Sequence, residues 1–216
     1  STQPRRVAVG GGGQSAAEIF HDLTRRGSQI EATLLLRRGA LKPSDDSPFV
    51  NEIFNAGFID QVFEQDAVRR TQLLNEYRNT NYSVVDLELI EKLYQLFYQQ
   101  KVRGDQRHRL FGHREVAAVA TTATGVQLSV RNTQTGELEA QAFDAVILAT
   151  GYCRDYHRTL LAGFADYIES DAVDRQYRLA LRPDCPVQVF LQGSCEHSHG
   201  LSDTLLSVLA VRSEEL

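Results

Sequence analysis

The chain has 216 residues, a formal net charge of −5, 42% hydrophobic residues and 24% charged residues. This is the composition of a globular protein, long enough to bury a core and to form one large domain or one and a half small ones. The acidic excess is small and dispersed, which argues against a nucleic-acid-binding surface, and no apolar run approaches the ~20 residues of a membrane-spanning helix.

Cys153, Cys185 and Cys195 are the only cysteines. They form no C-x-x-C pair and cannot all pair with one another, so the reading is free thiols in a reducing, cytoplasmic compartment. Ser1 to Arg6 leads directly into an apolar run without a signal-peptide pattern, and the chain contains no methionine. The expectation is a piece of a longer polypeptide.

In chain order, Val7-Ala8-Val9 predicts a strand that runs into Gly10-Gly11-Gly12-Gly13. The spacing of Ala16, Ala17, Ile19, Phe20 and Leu23 predicts a helix from Gln14 to Arg26, closed by Gly27. Ala32 to Leu36 predicts a second strand. Strand, glycine turn, helix and strand make one βαβ unit, and the unbroken apolar strands predict a parallel sheet covered on both faces. Residues 38 to 60 read as a long loop with a short helical stretch near Asn51 to Phe54; loops of this length are usually functional. A polar helix is predicted over 64–78, an interruption at Asn79-Thr80-Asn81-Tyr82, and a second helix from Val85 to Lys101 that ends near Gly104. From Glu115 to Leu148 the period becomes two. Strands are predicted near 115–121, 125–131 and 138–149, with turn signals at Thr124-Gly125 and Thr135-Gly136. A helix over 155–168, a strand from Val187 to Leu191 and a final helix from about Ser202 onward complete the pattern. The fold class is α/β, a Rossmann-like three-layer domain with an antiparallel β element.

The first motif with chemistry is Gly11-Gly12-Gly13-Gln14-Ser15-Ala16, a G-x-G-x-x-A pattern. A flexible hinge would need glycines but not the strand before them and the helix after. In that setting the glycines allow a tight turn and close approach of a pyrophosphate, and the helix start offers it unpaired N–H groups. An NAD-binding fold carries an acidic residue at the end of the second strand; here the strand ends in Leu36-Arg37-Arg38. Guanidinium groups at that tip suit the 2′-phosphate of NADP, against the plainer alternative of two solvated arginines.

The strand Asp144 to Ala149 ends in Thr150-Gly151-Tyr152, and a strand ending in Ala-Thr-Gly resembles the return strand of flavoprotein disulfide reductases and monooxygenases. Three further stretches make the resemblance specific: Asp45-Asp46-Ser47-Pro48-Phe49-Val50-Asn51-Glu52-Ile53-Phe54, Asn79-Thr80-Asn81-Tyr82, and His199-Gly200-Leu201-Ser202-Asp203-Thr204-Leu205-Leu206-Ser207. With the glycine motif they are similar, in the same order along nearly the whole chain, to the microbial ornithine N-monooxygenases of the pyoverdine and ferricrocin pathways.

The resemblance implies an FAD- and NADPH-dependent monooxygenase that hydroxylates the side-chain amine of L-ornithine for hydroxamate siderophores. The same chemistry on L-lysine is the nearest alternative. It implies that Gly11, Gly13, Gln14 and Ser15 contact NADPH and that Arg37 meets its 2′-phosphate end. Asn51 would hold the substrate's backbone groups, and Asn81 and Ser207 would lie by the reacting amine as the catalytic candidates. Leu201 to Leu206, with Thr204, Leu205 and Leu206 foremost, would run along the flavin. Residues 1–143 would form the NADPH-binding domain and 144–216 the C-terminal strands and helix of a split FAD-binding domain. The family's first FAD-binding half, with its own glycine motif, has no counterpart here. The expectation is that this piece alone binds flavin poorly and is inactive. The family also implies O2 as co-substrate and, for the full-length protein, a homotetramer. Gly10 departs from the family pattern, which has a branched apolar residue there, and a glycine at a strand end is expected to cost roughly 0.5–1 kcal/mol.

The residue types fit this chemistry. An alkylammonium titrates near ~10.4 and is no nucleophile until it loses a proton, and a neighbouring carboxylate would hold it charged. Asn and Ser orient an amine without adding charge, although either type alone is more often a turn or cap residue. A short-chain NADP dehydrogenase would need a Tyr-x-x-x-Lys pair, which the sequence lacks. A non-catalytic NADP-binding domain would give no role to Asn51, Asn81 or Ser207. No metal site is expected: His197-Ser198-His199 lacks a partner cluster. Asp45-Asp46 reads as a solvated loop, and Leu93 to Tyr98 as core or interface.

Overall fold

The computed structural model describes residues 5–215. In chain order the elements are β1 (Arg5–Gly10), α1 (Gln14–Arg25), β2 (Ile30–Leu35), α2 (Pro48–Asn51), α3 (Ala56–Phe63), α4 (Ala67–Tyr77) and α5 (Leu87–Arg103). There follow β3 (Arg109–Phe111), β4 (Arg114–Thr122), β5 (Gly125–Asn132), β6 (Leu138–Phe143), β7 (Ala145–Leu148), α6 (Tyr156–Leu160), β8 (Ile168–Val173), β9 (Leu179–Leu181), α7 (Glu196–His199) and α8 (Leu209–Glu214). The chain divides into two compact units. One contains the residues up to Ser44 and Asn81–Gly151; the other contains Asp45–Thr80 and the residues from Tyr152 onward.

The first unit is the three-layer arrangement that the sequence predicts. Its central sheet has the order β3-β2-β1-β7, with every pairing parallel. Alternation along the strands assigns the two faces. Val7 and Val9 of β1, with Leu34 of β2 and the following Leu36, pack with Ala16, Ala17 and Phe20 of α1 and Leu93 of α5. On the other face Ala8 and Leu35 pack against Leu128, Val130 and Phe143 of the antiparallel sheet β4-β5-β6. Phe20 stacks on Phe97 of α5 at 5.9 Å. Helix α5 closes at Gly104, whose φ of 69° is the left-handed conformation of a C-terminal cap. The buried Gln100 side chain exchanges hydrogen bonds with the His108 backbone at 2.8 and 3.0 Å, tying the end of α5 to the start of β3.

The second unit is built around Tyr177, Leu179, Leu191 and Cys195, with Ile168, Val173 and Leu181 of the β8–β9 hairpin against them. Asp66 caps α4 by accepting from the backbone N–H groups of Val68 and Arg69 at 3.0 and 2.9 Å.

Several elements differ from the sequence expectation. The stretch 138–149 is two strands in two sheets. The chain turns at Asp144, whose carboxylate accepts from Arg6 N–H at 2.6 Å, so β6 runs antiparallel on β5 while β7 runs parallel beside β1. The supposed loop 38–60 contains α3, which buries Ile59 and Val62. The helix expected over 64–78 starts at Ala67, because Asp66 caps it. The helix expected over 155–168 is one short turn, then a 3-10 segment Ala162–Tyr167 and the strand β8. Val187 to Leu191 is not a strand but an extended stretch joined to Arg178 through a single bridge at Phe190. The final helix is broken into 3-10 turns Leu201–Thr204 and Leu206–Val208 before α8, because Ser202 and Asp203 are buried as side chains rather than solvated on a helix. Among the described residues no helix is long and apolar enough to cross a membrane.

Candidate nucleotide and substrate site

The sheet order places β1 between β2, reached through α1, and β7, reached only after the rest of the unit. The ends of β1 and β7 therefore form a topological switch point, where open α/β sheets bind ligands. The glycine turn lies there. Gly11 has φ 146°, and a Cβ on it would lie 2.2 Å from the Ala149 carbonyl oxygen and 3.1 Å from Ala16 Cβ. The first glycine of the motif is thus required by contact with the strand end that carries Ala149-Thr150-Gly151. Gly11 N–H donates to Leu35 O at 3.0 Å and Ala149 N–H to Gly10 O at 2.8 Å, which fix the turn to both neighbouring strands. Helix α1 starts at Gly13 with no side-chain cap and no acidic residue in its first turn. Its first N–H groups and its positive dipole end are left for a ligand, the arrangement that binds phosphate.

Gly10 does not interrupt β1. Pairing runs through it to Leu35 and to Leu148, and the space a side chain would need is filled by Val116 Cγ2 and Leu148 Cδ2, 3.2 and 3.4 Å from a built Cβ.

Gln14 is half-buried, and its side chain is tied to the protein's own groups. Its side-chain nitrogen donates to Glu18 at 2.8 Å and to the Asp86 carboxylate at 2.7 Å, and its oxygen accepts from Asp86 N–H at 2.8 Å. What it presents to a ligand is its backbone N–H. The side chain brackets the start of α1 to the start of α5, and with it the chain from Asn81 to Asp86. That stretch abuts the glycine turn: a Cβ on Gly13 would lie 3.7 Å from Ser83 Cα. Val84 and Val85 are buried, and Val85 N–H donates to Lys42 O at 2.9 Å. Asn81 is exposed in the turn just before it, and Ser15 is exposed on the first turn of α1. The structure therefore gathers Gly11, Gly13, Gln14, Ser15 and Asn81 around one end of the sheet.

Arg37 follows β2 at the same end of the sheet. Its side chain is 69% exposed and 3.9 Å from Glu115, an exposed ion pair worth little. The backbone beneath it is fixed: Thr133 Oγ1 donates to Arg37 O at 3.3 Å and His113 N–H to Arg38 O at 3.0 Å.

In the second unit, Asn51 ends α2 and donates from its side chain to Asp46 O at 3.0 Å. Ser207 and Leu206 are exposed, Leu206 to 83%, while Thr204 and Leu205 are half-buried. The turn that carries them is anchored by residues to which the sequence reading gave no anchoring role. Asp203 is fully buried; its Oδ2 accepts from Cys195 N–H at 2.7 Å and its Oδ1 lies 3.2 Å from Arg212 Nη1, whose other hydrogen bond goes to Asp203 O. Burial, then the Asp203 charge, pushes the Cys195 thiol up to about 12. His199 is also fully buried; it stacks on Tyr177 at 3.9 Å, lies 5.1 Å from Phe63, and burial lowers its pKa. The signal in the sequence was Asp203 itself, the lone charge between Gly200 and Val211.

The chain matches the family model described as L-lysine 6-monooxygenase/L-ornithine 5-monooxygenase over residues 1–154. It is 49% identical over 216 residues to an L-ornithine N(5)-monooxygenase of Pseudomonas aeruginosa, covering 100% of this chain and 49% of that one. Among solved structures, an ornithine hydroxylase of Pseudomonas aeruginosa superposes with a TM-score of 0.90 at 49% identity, covering 99% of this chain and 51% of that one. The ornithine N-hydroxylase of Kutzneria sp. 744, described with reduced FAD, NADP+ and L-ornithine, superposes with a TM-score of 0.89 at 36% identity, covering 99% and 52%. The chain thus spans about half the length of the relatives it matches.

Proposed function

The chain belongs to the L-lysine 6-monooxygenase/L-ornithine 5-monooxygenase family, and on that premise we propose that it is the NADPH-binding and C-terminal part of an FAD-dependent monooxygenase that hydroxylates the side-chain amine of L-ornithine for a hydroxamate siderophore. The observation that carries this reading is the uncapped start of α1 behind the Gly11 turn, at the switch point of a parallel sheet. Ornithine is favoured over lysine because the relatives and structures above are all described as ornithine enzymes.

The residues present fit NADPH. The free N–H groups of the first turn of α1 take the pyrophosphate, the position of Gly13 lets it approach the backbone, and the Arg37 fork takes the 2′-phosphate. We assign residues 1–143, apart from Asp45–Thr80 that fold into the second unit, to the NADPH-binding domain, and 144–216, apart from β7 that completes the parallel sheet of the first unit, to the flavin and substrate domain, where Thr204, Leu205 and Leu206 face the flavin. FAD, when bound, supplies the activated oxygen derived from O2. The chain's own contribution is orientation. Asn51 holds the amino acid by its backbone groups, and Asn81 and Ser207 position the neutral amine without placing a carboxylate beside it, which would keep it protonated. Exposed or half-buried thiols at Cys153 and Cys185, with no disulfide among the described residues, support a cytoplasmic setting. The full-length protein is read as a homotetramer.

The test is to join the chain to a flavin-binding half and assay ornithine-dependent hydroxylamine formation. Asn81→Ala should lose product while NADPH oxidation continues. Equal product from parent and variant, or product with lysine but not ornithine, would overturn the assignment.

A further inference from the structure

The first unit has, away from the glycine turn, a cleft of about 260 Å³ between the β2–β3 edge of the parallel sheet and β6. The same alternation that builds the core explains why it is open and charged. On the face toward the antiparallel sheet, Ala8 and Leu35 are apolar and fully covered. Further back along the strands that face carries Arg6, two residues before Ala8, and Thr33 and Glu31, two and four residues before Leu35, and the partner of Thr33 on β3 is Arg109. A covered sheet face would be apolar there. Instead the antiparallel sheet has drawn away and its last strand forms the opposite wall with Gln141 and Phe143.

Three guanidinium groups, of Arg6, Arg107 and Arg109, line this cleft against one carboxylate, Glu31. Among the described residues, the ion pairs of this unit engage Arg26, Arg37, Lys92, Arg114 and Arg131, and none engages Arg6, Arg107, Arg109 or Glu31. Arg109 is steadied through Nε, which donates to Gln106 O at 3.4 Å, and Arg107 Nε lies 3.1 Å from His108 Nε2. Their terminal nitrogens are left for a bidentate partner. Phe111, 38% exposed, and Phe143 give the cleft aromatic faces. The cleft is separate from the glycine turn: Arg6 and Gly10 stand at opposite ends of β1, roughly 13 Å apart at the rise of an extended strand.

We infer that this cleft is a binding site for a small planar anion, an aromatic carboxylate that carries a hydroxyl group. The guanidinium forks grip the carboxylate, the ring lies against Phe111 and Phe143, and Glu31 accepts from the hydroxyl. Glu31 would repel an anion that offered it no donor, so it selects for the hydroxylated acid. A cavity of this volume admits a single substituted ring and no dinucleotide.

The experiment is calorimetric titration of the chain with 4-hydroxybenzoate, with benzoate as comparator and saturating NADP+ present throughout. The expected result is one site per chain with a Kd of about 0.1–1 mM. Benzoate should bind more weakly, and the Arg6→Ala/Arg109→Ala double variant should lose about tenfold or more in affinity. Both arginines are solvent-facing, so the variant should fold, which circular dichroism checks. Phe111→Leu, which keeps every charge, should also weaken binding. The inference is overturned if 4-hydroxybenzoate does not bind, if either variant binds it as the parent does, or if benzoate binds equally well. None of these outcomes bears on the monooxygenase reading, which concerns the other end of the sheet.

Discussion

Substitution of the three glycines of the turn separates folding from binding. In Gly11→Ala the new Cβ would meet the Ala149 carbonyl oxygen at 2.2 Å and its carbon at 2.9 Å, with Ala16 Cβ at 3.1 Å on the other side, at a φ of 146°. Both obstacles are fixed, so the end of β7 must move by about 1 Å. The positive-φ strain is about 1–3 kcal/mol and the overpacking about 1–3 kcal/mol. Loss of the Ala149–Gly10 hydrogen bond adds about 1 kcal/mol, for a sum of about 3–7 kcal/mol and a Tm fall of about 6–28 °C. Gly13→Ala is different. Gly13 is extended, with φ −105°, and its Cβ would meet Ser83 Cα, Ser83 N and Val84 O at 3.7, 3.8 and 3.9 Å, ordinary van der Waals contacts, so folding should change by no more than about 1 kcal/mol. That methyl group would nevertheless stand where the pyrophosphate meets the backbone, so NADPH affinity should fall about tenfold or more. Gly12→Ala, with Leu36 Cδ2 at 3.8 Å, should alter neither. Thermal unfolding by circular dichroism and NADPH calorimetry on the three variants give the readout. A Gly11→Ala protein as stable as its parent, or a Gly13→Ala protein that binds NADPH as tightly, would refute the reasoning.

Three further outcomes follow from the buried groups. Arg212→Met leaves the fully buried Asp203 carboxylate without its cation and should cost about 3–5 kcal/mol; adding Asp203→Asn should recover part of that in thermal unfolding. At pH 8 a thiol reagent should modify exposed Cys153 in the native protein and spare buried Cys195, whose pKa is held near 12, with mass spectrometry locating the adduct. His108 is lowered to about 4, chiefly by burial and then by Arg107, and its Nδ1 accepts from Ala32 N–H at 3.2 Å. Its folded pKa lies below the unfolded value, so its contribution is complete above pH 6.5 and is lost as pH falls toward 4, by up to about 1.4 kcal/mol per pH unit. Denaturant titrations of the parent and His108→Gln across that window should show a shallower acid slope in the variant.

The βαβ core of the first unit was readable because its strands carry the apolar runs Val7 to Val9 and Leu34 to Leu36 and its helix keeps a clean 3.6 period. Strand β3 was missed because Arg109-Leu110-Phe111 is three residues long with its ends exposed. Helix α3 was hidden by Asn55 and Gly57, turn residues that here sit at its start, although Ile59 and Val62 carry the helical spacing. In the second unit β8 is polar along most of its length, Ile168-Glu169-Ser170-Asp171-Ala172-Val173, and gives no strand signal. Of the candidate site, the glycine turn and the position of Arg37 at the end of β2 were legible from local order alone. The Gln14 bracket to Asp86 spans 72 positions and the Asp203–Arg212 pair exists only once the C-terminal turns have formed, so neither has a local signature.

The most direct test of the nucleotide site is calorimetric titration of the chain with NADPH and with NADH. NADPH is expected to bind more tightly by about tenfold or more, with the preference lost in Arg37→Ala and the fold intact, since the Glu115 pair contributes little. Equal affinity for the two nucleotides, or no binding of either, would contradict it.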